Sequence, residues 1–176
     1  MEFNKYKTML SRRNFIKTTA IAGAATISGS LLYSSCSGNS GRITIKSAGS
    51  RFEREPLIRP FGFKGIYQNE FWVAAALLES ASGIKHVGLQ TQCLAWSDLD
   101  VFLAHSEVDG NMLLIKSLDY ALKTINGQSF RNPIELQDAI LMDVYKYGQS
   151  ITGRTNLRMT FTLSSMVALD NAMWML

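Results

Sequence analysis

From Arg42 to Lys46 the chain alternates polar and apolar side chains, which puts Ile43 and Ile45 on one face of a half-buried strand. Pro56 and Pro60 come next, and a proline cannot donate to a strand ladder, so the pair brackets a segment expected to break regular pairing. Phe61-Gly62-Phe63-Lys64-Gly65 reads as a loop, with glycine hinges around two aromatic rings and a cation. Glu70–Ser80 is apolar on both faces. Its alanines suit a helix, but the turn signal at Ser82-Gly83 and the run Ile84–Leu89 favour a hairpin of two strands.

After Trp96 the period becomes helical. Ser97 is placed to cap a helix beginning at Asp98, with Asp100 also favouring its N-terminal dipole. A second helix follows Asp109-Gly110, with Met112, Ile115, Leu118, Leu122 and Ile125 on one face, and Asn126-Gly127 ends it. The third has the fullest set of start signals: Asn132 as N-cap, Pro133 at the first position and Glu135 at the third. It runs to about Ile151 and stops at Gly153. A fourth begins near Thr160 and is apolar almost all round, through Phe161, Leu163, Met166, Val167, Leu169, Met173, Trp174 and Leu176. Such a helix is expected to be enclosed by protein on every side, and the chain stops inside it, which reads as truncation. Strands followed by helices give an α+β domain.

Composition sharpens this picture at the N-terminus. The 176 residues carry 18 Lys+Arg against 14 Asp+Glu, a net +4. Residues 1–17 hold Lys5, Lys7, Arg12, Arg13 and Lys17 against Glu2, which is 5 − 1 = +4, so the remaining 13 basic and 13 acidic residues balance. An electroneutral body with no basic, aromatic-interleaved stripe excludes a nucleic-acid module. A chain of 176 residues is also too short for a complete α/β barrel enzyme, which needs about 250. The charged start is followed by uncharged Thr18–Ser35, too weakly apolar for a spanning helix and suited to the apolar region of an export signal.

At that junction, Ser11-Arg12-Arg13-Asn14-Phe15-Ile16-Lys17 resembles the twin-arginine export signal, which implies passage of an already folded protein through the twin-arginine machinery to the periplasm of a bacterium. Leu31-Leu32-Tyr33-Ser34-Ser35-Cys36, followed by Ser37-Gly38-Asn39-Ser40-Gly41, resembles a lipoprotein processing site, with Tyr33 where a Leu is usual. On that resemblance Cys36 carries a lipid anchor to the membrane. The alternative is an unmodified Cys near an ordinary signal-peptidase cut. Residues 1–36 are thus assigned to the signal and 37–41 to a flexible linker.

Candidate chemistry in the body is sparse. The second cysteine, Cys93, sits in an apolar stretch and reads as a buried free thiol. His86 and His105 lie on different elements, and no His/Cys/carboxylate cluster has zinc-ligand spacing, so both read as structural. There is no P-loop, nucleophile elbow or kinase signature. Asp98 and Asp100 are best explained as helix-start residues. Asp170, inside the apolar helix, is expected to be paired or at an edge. Arg154 and Arg158 flank a linker, where a solvated loop or an anion contact are the readings left open.

A wider resemblance joins these segments. Phe52-Glu53-Arg54-Glu55-Pro56-Leu57, Phe61-Gly62-Phe63-Lys64-Gly65, Leu77–Leu89 with its Gly83 turn, Trp96-Ser97-Asp98, Ala104-His105-Ser106-Glu107, Ile151-Thr152-Gly153-Arg154 and Val167–Trp174 follow one another in an order that resembles the N-terminal capping domain of the enolase superfamily, mandelate racemase and muconate lactonizing branch. The resemblance implies a three-stranded antiparallel sheet followed by a helical bundle. It divides the body into a capping domain at 42–158 and the start of a barrel at 159–176, with the catalytic barrel absent. It further implies Mg²⁺-assisted abstraction of the proton α to a small carboxylate substrate, by an isomerase or lyase whose catalytic and metal-binding residues lie outside this chain. The loop 59–67 and the segment 90–96 occupy the places of the family's closing loops, so Phe61, Lys64 and Tyr67 are the candidate substrate contacts. The competing expectation is a free-standing exported lipoprotein that binds a partner, with the final helix forming a homodimer interface.

Overall fold

The computed structural model describes residues 41–63 and 65–176, all within the compact unit Ser40–Leu176. The candidates Arg12, Arg13, Cys36 and Lys64 lie outside the described residues. Three long strands come first: β1 (Ile43–Phe63), β2 (Ile66–Ser80) and β3 (Lys85–Gln92). Two short helices follow, α1 (Leu94–Ser97) and α2 (Leu99–Ala104), then α3 (Glu107–Ile125), the two-residue strand β4 (Ser129–Phe130), α4 (Pro133–Thr152) and α5 (Met159–Met175). The architecture is α+β, an antiparallel sheet of order β3-β2-β1-β4 with helices on one face.

Four strands replace the expected three. The turn after α3, with Gly127 at φ 78°, returns the chain along β1, so that Phe130 pairs with Ile43 and Ser129 with Thr44. A two-residue strand has no period of its own, which hides it in the sequence. A larger correction concerns β1, which runs 21 residues through both Pro56 and Pro60. The prolines are tolerated because β4 covers only Ile43 and Thr44, leaving the rest of β1 a sheet edge, and because the β1–β2 ladder breaks between Pro56 and Phe61. Pairing then resumes at Phe61↔Gln68, Gly62↔Tyr67 and Phe63↔Ile66. The expected loop at 59–67 is therefore a tight β-hairpin, turning beside Gly65 at φ 79°.

Helix starts follow local chemistry, with two shifts from expectation. Asn132 Oδ1 accepts from the Glu135 N–H at 3.0 Å, and Gly153 at φ 66° ends α4, as the sequence predicts. Ser106, rather than the Asp109-Gly110 pair, caps α3, because its hydroxyl accepts from the Asp109 N–H at 3.0 Å. Asp98, not Ser97, caps α2, accepting from the Asp100 and Val101 N–H groups. The Ser97 hydroxyl donates instead to the Cys93 carbonyl at 2.9 Å.

The core joins the sheet to three helices. Ile45, Trp72, Ala74, Ala76 and Leu78 from the sheet meet Ile115, Leu118, Leu122 and Ile125 of α3, Leu136, Ile140 and Val144 of α4, and Met166, Leu169 and Ala172 of α5. A satellite cluster of Leu94, Val101, Leu113, Leu114, Leu157 and Phe161 fills the space under α1 and α2. Helix α5 approaches β3 at backbone distance: a Cβ on Gly88 would stand 2.0 Å from the Ala168 carbonyl oxygen and 2.4 Å from the Ala172 nitrogen. Gln90 adds a side-chain bond to the Ser164 carbonyl, and Asn171 Nδ2 donates to the Leu89 carbonyl at 2.9 Å. Enclosure of α5 is one-sided. Phe161, Met166, Leu169 and Met173 are buried, whereas Leu163, Val167, Trp174 and Met175 remain exposed.

Replacing Gly88 by alanine is expected to destabilise the domain by about 3 kcal/mol or more, because both clashing atoms are backbone and cannot rotate away. Chemical denaturation reads this as a lower midpoint at unchanged slope, and an unchanged midpoint would show that α5 does not seat on Gly88.

Candidate functional site

The β1–β2 hairpin projects past the pairing with β3, which starts at Trp72↔Gln92. Its aromatic side chains gather rather than splay. The Phe61 ring lies 6.4 Å from Phe63 and 6.0 Å from Phe71, and Phe63 lies 5.8 Å from Trp96 on α1. Offset and tilted rings at these separations add to the stabilisation from burial. Tyr67 is not among these ring contacts. It stands across from Gly62 and is largely exposed. Of the expected substrate contacts, Phe61 therefore joins a cluster and Tyr67 borders it. Phe63, Phe71 and Trp96 are not among the substrate contacts expected from the sequence, although Phe63 and Trp96 lie in the two expected closing segments; the i, i+2 spacing of Phe61 and Phe63 is the signal for their shared face.

One buried side chain ties the hairpin to the segment after β3. Gln68, opposite Phe61, accepts a bond from the Cys93 thiol at 3.4 Å through its Oε1. Cys93 is a free, half-buried thiol, less enclosed than expected. Gln68 Nε2 and both amide atoms of buried Gln92 have no protein partner. Such groups cost free energy unless water or another polar group reaches them. The Phe63–Trp96 contact links the two expected closing segments, 59–67 and 90–96, and the Gln68–Cys93 bond adds a tie beside it.

The hairpin is rooted in charge. Arg54 Nε donates to both Glu70 oxygens, at 3.1 and 3.0 Å, and its guanidinium sits 5.2 Å from the centre of the Trp72 ring. The Trp72 indole N–H donates to Glu70 Oε1 at 2.9 Å, and Phe52 stacks on Trp72 at 4.9 Å. Where β2 has lost β3 as a neighbour, Glu107 at the start of α3 substitutes for a strand. Its carboxylate accepts from the Asn69 backbone and side-chain amides and from the Glu70 N–H, at 3.0 to 3.2 Å.

The remaining candidates are structural. Asp98, besides capping α2, accepts from the Arg158 N–H at 3.0 Å, and Thr160 Oγ1 donates to the Ser97 carbonyl at 2.6 Å, which fastens the start of α5 to α1. Arg154 pairs with the Asp100 carboxylate at 3.1 Å. His105 Nδ1 bonds the Val101 carbonyl at 2.9 Å, and His86 pairs across from Leu78 in the sheet. Among the described residues no three His, Cys, Asp or Glu side chains come close enough to hold a metal ion.

Residues 9–29 match the family model described as the TAT (twin-arginine translocation) pathway signal sequence, and Arg12-Arg13 fall inside the match. The chain carries a twin-arginine export signal. Among the described residues no helix is long and apolar enough to cross a membrane. No curated protein matches the sequence. Solved structures similar to the chain include an enolase from Bradyrhizobium complexed with magnesium and mandelic acid, at 13% identity and TM-score 0.46, covering 75% of this chain and 30% of that one. An L-talarate/galactarate dehydratase from Salmonella typhimurium shares 14% identity at TM-score 0.45, over 84% of this chain and 34% of its own. A dipeptide epimerase from Enterococcus faecalis, complexed with Mg and a dipeptide, shares 14% at TM-score 0.43, over 73% and 29%. The chain spans about a third or less of the length of each.

Burial acts to raise the Glu70 pKa, but the bonds from Trp72 and Arg54 outweigh it and hold the carboxyl below its ordinary value of 4.5. A depressed acid adds stability above that ordinary value and loses it as pH falls through the folded value. The difference in Tm between wild type and Glu70→Gln is therefore expected to be positive at pH 7 and to shrink steadily on acidification below 4.5. A pH-independent difference would show that the ionised form has no special partners.

Proposed function

We infer that this domain is the capping part of an exported enzyme of enolase-superfamily type, closing over a barrel that carries out proton abstraction α to a small carboxylate. Three features support the reading: the sequence resemblance, the strand-then-helix order, and above all the large apolar side chains left exposed on α1 and α5. Trp96 is 65% exposed although its ring touches Phe63, and α5, fastened beside it through Thr160, exposes Leu163, Val167 and Trp174 along one side. Several large apolar side chains exposed on one side of a helix favour a covering partner. A barrel docked against that side of α5 would sit near the hairpin. The segment from residue 159 onward would then belong to the connection with that barrel.

The work of this chain in such a reaction is enclosure. Phe61, Phe63 and Trp96 present an apolar surface that would exclude water from the reacting carbon, Tyr67 borders the opening, and Lys64 remains a candidate contact from the sequence. The Gln68–Cys93 bond makes the hairpin and the post-β3 segment move as one lid. Mg²⁺, if held by the barrel, would supply Lewis-acid stabilisation of developing negative charge. Export leaves the domain in the periplasm, held at the membrane if Cys36 is lipidated.

Deuterium exchange from D₂O into small carboxylates, with Mg²⁺ present, tests the proposal on the exported protein with its barrel. Trp96→Ala combined with Phe61→Ala is expected to lower kcat/KM by about tenfold to a hundredfold through lost enclosure. Unchanged exchange kinetics would remove the lid role, and absence of exchange across aryl acids, sugar acids and dipeptides would remove the enzyme reading.

A further inference from the structure

The exposed side chains of the two closing segments separate by face. Cross-strand partners share a face and neighbours along a strand alternate. The register Phe61↔Gln68 and Gly62↔Tyr67 therefore puts Phe61, Phe63 and Gln68 on one side of the hairpin and Tyr67 on the other. The Tyr67 ring lies along Gly62, where a Cβ would stand 3.4 Å from its Cε1 and 3.7 Å from its Cδ1. Its hydroxyl thus belongs to the rim. In the second segment, 90–96, the exposed side chains are Thr91 and Trp96. Thr91 stands opposite Val73, on the sheet face turned away from the helices, whereas Trp96 meets Phe63.

What stands on the Phe63 side is a surface of rings. Phe61 is 46% and Trp96 65% exposed, with half-buried Phe63 in contact with both. The Gln68 amide on the same side is out of a ligand's reach, since Gln68 is 1% exposed and its Oε1 accepts from the Cys93 thiol. Arg59, the charged residue before the rings, lies in the unpaired stretch between Pro56 and Phe61. Beyond the Trp96 indole N–H, the three rings offer a ligand contact area and no hydrogen-bonding group. Such a surface discriminates by substituent. An aromatic or branched group buries apolar area against it, while each hydroxyl placed there gives up water and finds no partner.

We propose that the carboxylate substrate carries an aromatic or branched aliphatic substituent on its α-carbon, held against Phe61, Phe63 and Trp96, and that polyhydroxylated acids are rejected. This rests on the capping reading above and narrows it. With the carboxylate and the reacting carbon turned to the barrel, the ring surface of this chain acts on the substituent alone.

Deuterium exchange by the exported protein with its barrel, in D₂O with Mg²⁺, tests this on α-hydroxy acids bearing a phenyl, an isobutyl or a polyhydroxylated side group. The phenyl and isobutyl acids are expected to exceed the polyhydroxylated acid in kcat/KM by about 100-fold or more. Phe61→Asn is expected to narrow that ratio by about tenfold, with a circular dichroism melt confirming the fold, and Phe61→Leu, which keeps apolar surface, to retain it. Equal or faster exchange into the polyhydroxylated acid overturns the proposal and leaves the capping reading standing. So does a ratio that Phe61→Asn leaves unmoved in a folded variant. Exchange into none of the three overturns it as well, and the capping reading falls with it only if dipeptides are also inert.

Discussion

The seat of α5 on Gly88 governs the arrangement of the rest. A helix whose Ala168 carbonyl and Ala172 amide lie where a Cβ would be cannot slide or rotate without lifting off the sheet. The close approach uses the small residues of α5 on the sheet side and selects Ala74 and Ala76 for the sheet face below. It also decides which apolar residues of α5 are left outside. With Met166, Leu169 and Ala172 inward, the 3.6-residue period sends Leu163, Val167 and Trp174 outward. Gln90 and Asn171 lock the same register from side chains, the latter by satisfying an edge carbonyl of β3. The exposed side of α5 is therefore a geometric consequence of a packed core.

The same fixed helix reaches the hairpin through a short chain of bonds. Thr160 holds α1, α1 carries Trp96, and Trp96 meets Phe63. From the other side, Gln68 joins the hairpin to Cys93, while Arg54, Glu70 and Trp72 stiffen its root. Glu107 finishes the exposed β2 edge with a carboxylate at the start of α3, where the helix dipole also favours negative charge. An arm held at both its root and its middle is fixed relative to the helices beneath it. Its outermost turn, beside Gly65, is the part left to local backbone preference.

Local signals were legible in the sequence wherever one residue type does one job. Asn132, Pro133, Glu135 and Gly153 bound α4 as read, and the inward face of α3 carries Ile115, Leu118, Leu122 and Ile125 as its period required. The export signal was equally plain, because a receptor reads its side chains in linear order. Tertiary context hid the rest. Proline forbids a ladder bond only where a neighbour needs one, and the sequence does not say that β1 is an edge at Pro56 and Pro60. Asp98 displaced Ser97 as a cap because its second oxygen also takes the Arg158 amide, a partner 60 residues away. The aromatic cluster at the candidate site was out of reach for a related reason: Phe63 and Trp96 meet only after the hairpin, β3 and α1 are all in place.

If this domain caps a barrel, Trp96 and the exposed side of α5 are covered by that second domain in the working protein. Hydroxyl-radical footprinting of the exported protein, read at Trp96 and Trp174, measures the coverage directly. Both indoles are expected to be strongly protected relative to the isolated 176-residue chain, while exposed Tyr67 at the mouth of the hairpin changes little until a carboxylate ligand is added. Equal oxidation of both tryptophans in the two samples would contradict a covered surface, and with it the capping role.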